Sequence, residues 1–198
     1  MRTHPRVLAV LALAAAACAS TKLVSVWADE RFAGPAFEKL LVVGLGATEG
    51  GRAAFESALV ARLDAQGVVG VASHDVIVEM QDVSQARLRR LARQEGYDAV
   101  LVTRLLDVRK ETLYEPPVYG DFYGYWGHYG GYVSEPGYAI ETTTVVMETS
   151  LFDAATGKVV YSAESQTFQP RSRDAVTQEL VPLVVDDLTQ RGILAARR

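Results

Sequence analysis

The chain has 198 residues, 49% of them hydrophobic, with 20 basic and 24 acidic side chains and a formal net charge of −4. That length suits one well-packed domain. The acidic balance gives no electrostatic footprint for nucleic acid, and a single cysteine excludes an internal disulfide framework.

Arg2 and Arg6 form a basic start, and Val7 to Ala17 is an unbroken apolar run ending in four alanines. Such a run is about 16 Å long as a helix, against about 30 Å of bilayer hydrocarbon, so it reads as a signal peptide over residues 1–17 and not as a lasting span. Its removal takes two arginines and leaves 18 − 24 = −6 for residues 18–198. Ala15-Ala16-Ala17 before Cys18 resembles the bacterial lipobox, in which the cysteine after the cut carries the lipid. Ala15 stands where lipoboxes usually have leucine, and Leu13 lies two residues further back. An ordinary secretory cut also satisfies the small-x-small rule here. The lipobox resemblance implies a membrane anchor on Cys18. Ala19 stands in place of the aspartate that favours inner-membrane retention, which points to the outer membrane, on its periplasmic side.

Leu23-Val24-Ser25-Val26-Trp27 is a short apolar stretch, a strand or a tether, followed by a turn at Gly34-Pro35. Leu40 to Leu45 has the continuous apolar pattern of a strand buried on both faces. From about Gly51 to Gln66, Phe55, Ala58, Leu59 and Leu63 form one helical stripe, and Gly67 supplies the stop. Val68 to Val78 reads as a second strand. Ser84 is a good N-cap for a helix running to about Glu95, with Val83 and Leu88 placed as a hydrophobic staple. Ala99 to Leu106 is a third strand, continuing through the polar alternation to Leu113.

Between Tyr114 and Tyr138 the composition changes: seven of the nine tyrosines lie here with Phe122, Trp126, three prolines and six glycines. This is an irregular aromatic loop. Ile140–Phe152 and Val159–Phe168 are β-branched runs expected to pair as an antiparallel hairpin, its turn closing at Gly157. Val176, Leu180, Leu183, Val184 and Leu188 mark a last helix, which Pro182 should kink or split. The expected architecture is an α/β domain with a mixed sheet, in the order βαβαβ, aromatic loop, β-hairpin and C-terminal helix.

Thr21 to Trp27, Ala33-Gly34-Pro35-Ala36-Phe37 leading to Leu41-Val42-Val43-Gly44, and Glu148 to Asp153 followed by Thr167-Phe168 resemble a family of uncharacterised bacterial lipoproteins, a domain of unknown function with a tyrosine- and glycine-rich insert. The resemblance covers most of the chain after residue 17 and implies an envelope address, with no catalytic residues to carry over. The element order is also similar to the amino-terminal domain of TolB and to CsgG-like secretion lipoproteins, which act through protein contacts; this is fold-level analogy.

Chemical motifs are sparse. Gly44-Leu45-Gly46-Ala47-Thr48-Glu49-Gly50-Gly51 sits where a phosphate loop would, but it lacks a Gly-Lys-Ser/Thr and the GxGxxG spacing, and Glu49 would repel a pyrophosphate, so no cofactor is expected. With His4 in the signal, His74 and His128 are the remaining imidazoles. His74-Asp75 with Glu79 reads as a solvated turn, and no metal site is expected. Asp186-Asp187 reads as a solvated helix face, and GxSxG is absent.

Exposed aromatic rings are unfavourable unless they pack or bind something. Tyr119, Phe122, Tyr123, Tyr125, Trp126, Tyr129 and Tyr132 are therefore either a lid over the chain's own sheet or a contact surface, with an envelope protein or cell-wall glycan as candidate partner. The favoured function is a non-catalytic binding or assembly module held to the membrane by its lipid. The alternative is an envelope hydrolase whose site is assembled from distant residues.

Overall fold

Strand β1 (Thr21–Ala28) opens the described fold in a computed structural model that describes residues 21–45, 48–77, 84–115 and 138–195. It is followed by β2 (Lys39–Leu45), α1 (Glu49–Gln66), β3 (Val69–Ala72), the short α2 (Ser73–Val76), α3 (Gln85–Glu95), β4 (Ala99–Glu115), β5 (Tyr138–Asp153), β6 (Val159–Phe168) and α4 (Arg173–Gln190). These form one mixed six-stranded sheet of order β1-β6-β5-β4-β2-β3. Strand β2 runs parallel to β3 and β4, while β4-β5, β5-β6 and β6-β1 are antiparallel.

Pleating sends alternate residues of β2 to opposite faces, and both faces are covered. Leu40 and Val42 pack with Leu59 and Leu63 of α1 and with Leu180, Val184 and Leu188 of α4. Leu41 and Val43 pack on the other face against Leu88, Leu91 and Ala92 of α3. The consequence is an uneven sheet. One face carries two long helices across its width, whereas on the other α3 lies over the parallel end, and no described element covers the part that carries Trp27, Ser162 and Glu148.

The element limits follow local chemistry. Thr48 Oγ1 accepts from Gly51 N at the start of α1, and the helix ends at Gly67, whose φ of 87° an L side chain resists. Ser84 Oγ accepts from Arg87 N at the start of α3, as its sequence position indicates; Val83, the other half of the expected staple, lies outside the described residues.

Three expectations need correction. The strand expected over Val68–Val78 stops at Ala72, because the backbone N–H of His74 is taken by the Glu56 carboxylate and the chain turns into α2. Pro182 does not split the last helix: α4 is continuous, with Leu180 and Val181 before the proline and Val184 and Val185 after it all buried in the core. That burial outweighs the one backbone donor the proline removes. Asp186 and Asp187 are also more than a solvated face. Asp186 pairs with Arg62 of α1, and Asp187 accepts from Arg191 Nε at 2.8 Å.

The segment Leu23–Trp27, open between strand and tether in the sequence, is a strand. Thr21 Oγ1 meets Thr167 Oγ1 at 2.8 Å in a buried contact, and Thr21 N donates to Glu179 Oε2 at 2.8 Å, so β1 is held from its first residue.

Candidate functional site

Cys18 and the aromatic residues Tyr119, Phe122, Tyr123, Tyr125, Trp126, Tyr129 and Tyr132 lie outside the described residues, as do His128 and Glu79. What the structure describes is the strand pair that carries the aromatic segment. Strands β4 and β5 pair without interruption from Asp107 and Val146 to Glu115 and Tyr138. Support from neighbouring strands ends earlier: β2 leaves β4 at Arg104, and β6 leaves β5 at Thr144. Beyond that level the two strands form a ribbon with no neighbouring strand among the described residues, held on one edge by Gln169, which donates to Thr143 O and Glu141 O, and with Glu115 and Tyr138 opposite each other at its end.

Polarity along the ribbon is not uniform. Near the sheet its pairs are Arg109 with Thr144, Lys110 with Thr143, Glu111 with Thr142 and Thr112 with Glu141. The next pairs are Leu113 with Ile140 and Tyr114 with Ala139, followed by Tyr138. Leu113 is 51% exposed, Tyr114 66%, Tyr138 61% and Ile140 38%. A short apolar band thus follows a charged one, at the far end of an otherwise polar arm. Exposed apolar side chains grouped in this way are a candidate contact surface.

A second feature leaves no trace in the hydrophobic pattern of the sequence. Arg52 and Glu56 are both fully buried on α1, one turn apart and in line with Leu59 and Leu63. Glu56 Oε1 accepts from Gly44 N at 2.8 Å, from Ser73 Oγ at 2.6 Å and from Arg52 Nε at 3.2 Å. Its Oε2 accepts from His74 N at 2.8 Å and faces His74 Nδ1 at 2.8 Å. Arg52 further donates to Ile77 O at 2.7 Å, to Ser73 Oγ at 3.1 Å and to Glu49 Oε2 at 3.1 Å. Burial alone would raise the Glu56 pKa, but the hydrogen bonds from Gly44, Ser73 and His74 outweigh it and hold the carboxyl below its ordinary value.

This cluster contains a serine, a histidine and a carboxylate, yet its geometry is that of a clamp. Ser73 is fully buried, and its hydroxyl bonds to Glu56 and Arg52 while the His74 Nδ1 is turned to Glu56. A nucleophile needs its base within hydrogen-bond reach and an approach for substrate. The clamp instead ties the end of β2, the first turn of α2 and the residue after it to α1. His74 is therefore not the solvated turn residue expected from the sequence: a buried carboxylate holds its ring.

A concavity of about 500 Å³ lies beside α3, lined by Val100, Val102, Phe152, Leu88 and Ala92. At its rim Arg104 donates from Nε and Nη2 to Glu148 Oε2, at 3.0 and 2.6 Å. Among the described residues no three His, Cys, Asp or Glu side chains come together as metal ligands would, and no helix is long and apolar enough to cross a membrane.

No protein-family model and no curated protein matches the chain. Among solved structures, it is similar to the PelC dodecamer from Paraburkholderia phytofirmans, with 17% identity over 89% of this chain and 98% of that one and a TM-score of 0.45. It is also similar to lipoprotein GNA1162 from Neisseria meningitidis, with 19% identity over 79% of this chain and 99% of that one and a TM-score of 0.44.

Proposed function

We propose that the chain is a non-catalytic contact module of the bacterial envelope. Lipid on Cys18 holds it to the periplasmic side of the outer membrane, and it meets its target through the end of the β4–β5 ribbon. The observation that carries this reading is the apolar band Leu113, Tyr114, Tyr138 and Ile140, exposed on two strands that no other element covers among the described residues. The aromatic residues between Tyr119 and Tyr132 follow directly from that end in sequence, and they extend the contact surface. The rigid part of the fold, pinned by the Arg52–Glu56 clamp, serves as the base from which the ribbon projects.

The test separates a contact segment from a lid. Replacing residues 119–132 with a short Gly/Ser linker should shift unfolding stability by no more than about 0.5 kcal/mol, as a change away from the core does. Urea or thermal unfolding measures this directly. A loss of several kcal/mol would show that the rings are packed into the protein as core residues are, and would end the contact reading.

A further inference from the structure

The position of the first strand bears on what the ribbon touches. Thr21 pairs with Thr167, Thr167 with Val145, and Val145 with Val108, so the start of β1 and the root of the ribbon lie at the same level of the sheet. They also lie at the same end. From Val108 to Glu115 the ribbon advances seven residues, about 24 Å at the usual strand rise. From Thr21 back to Cys18 there are three residues, which at full extension reach about 11 Å. Because Thr21 is fixed by Glu179 and Thr167, the tether cannot gain length by peeling β1 from its first residue without losing those contacts.

We infer that the ribbon end, with Leu113, Tyr114, Tyr138 and Ile140, rests in the headgroup region of the same bilayer that holds the lipid on Cys18. This rests on the reading that Cys18 is the anchor. An anchor limited to about 11 Å cannot hold the sheet upright at a membrane without bringing a ribbon of about 24 Å into it. The order of side chains fits that contact: the charged pairs at Arg109–Thr112 stay on the water side, and the apolar band comes after them. Tyrosine, with an apolar ring and a hydroxyl, suits the interface. Depth is limited by the backbone. Among the described residues no strand pairs with the ribbon beyond Thr144, where only Gln169 reaches Thr143 O and Glu141 O, and unsatisfied peptide groups cost several kcal/mol each in hydrocarbon, so the end lies in the interface and does not cross.

The experiment uses the full lipidated chain in phosphatidylethanolamine–phosphatidylglycerol vesicles. Its only native cysteine is Cys18, whose sulfur the lipid blocks, so Tyr114→Cys, Tyr138→Cys and, at the opposite end, Gln94→Cys can each be labelled with an environment-sensitive maleimide dye. Dye at 114 and 138 should shift to shorter wavelength and be quenched by headgroup nitroxide lipids, while dye at 94 keeps its aqueous emission. Aqueous emission at all three positions, with the acyl mass present on Cys18, overturns the inference and leaves the anchor intact. Shielding at 114 without lipid quenching overturns it too; energy transfer between labels would then identify a second copy as the occupant, and its absence another protein. Absence of the acyl mass on Cys18 overturns the anchor and the inference together.

Discussion

Glu56→Gln is expected to cost about 3–5 kcal/mol of folding stability, the range for removing one partner of a buried ion pair. The amide keeps the size of the side chain but loses the charge, leaving the buried Arg52 with the half-exposed Glu49 as its charged partner among the described residues. It also presents a donor NH2 toward either the Gly44 and Ser73 donors or the His74 backbone N–H, where the carboxylate accepts from all of them. Denaturant unfolding gives the loss as a lowered midpoint at unchanged slope. Adding Arg52→Met to Glu56→Gln should restore part of the loss, because the uncompensated charge goes with it; strictly additive costs would show that the two side chains are not coupled.

The same carboxylate sets a pH dependence of known sign. Its folded pKa lies below the ordinary value of 4.5, so the stability it contributes is fully present above pH 4.5 and is lost as pH falls through the folded value. The E56Q chain should lack that part of the acid transition. An acid profile identical to that of the unsubstituted chain would contradict the lowered pKa.

The second large effect concerns location. On the proposed anchoring, Cys18→Ser should move the protein from the membrane fraction to the soluble fraction, because a ribbon end of small apolar area would not hold it there without the lipid. Stable anchoring needs more than one chain or signal, which a diacylated and further acylated cysteine provides. Fractionation of cells at physiological salt, followed by a high-salt wash, is the measurement. Undiminished membrane association of C18S after that wash would show that Cys18 is not the anchor.

Much of the architecture was legible because it depends on local signals. The two-faced burial of β2 follows from four consecutive apolar residues, Leu40 to Val43, and the ends of α1 and α3 follow from Gly67 and Gly96. The length of the β4–β5 ribbon was partly visible, since the alternation through Leu113 continued the strand. The clamp escaped because hydrophobic periodicity does not count Arg and Glu, although positions 52, 56, 59 and 63 form one continuous helical stripe. The early end of β3 escaped for a related reason: the group that captures the His74 N–H is Glu56, 18 residues earlier in the chain. At Pro182 the local backbone cost is visible in sequence, whereas the burial of the residues on either side of it, which outweighs that cost, is not.

The projecting ribbon could not be recognised as free from sequence alone, since whether a strand has neighbours is set by register across the whole sheet. It emerges from where β2 and β6 stop, at Arg104 and Thr144.

If this ribbon end is the working surface, photo-crosslinking in intact envelopes should capture what it meets. A benzophenone amino acid placed at Tyr114 should yield adducts, while the same group at Gln94, exposed at the opposite end, should yield none. Adducts from Gln94 alone, or from neither position, would contradict the account.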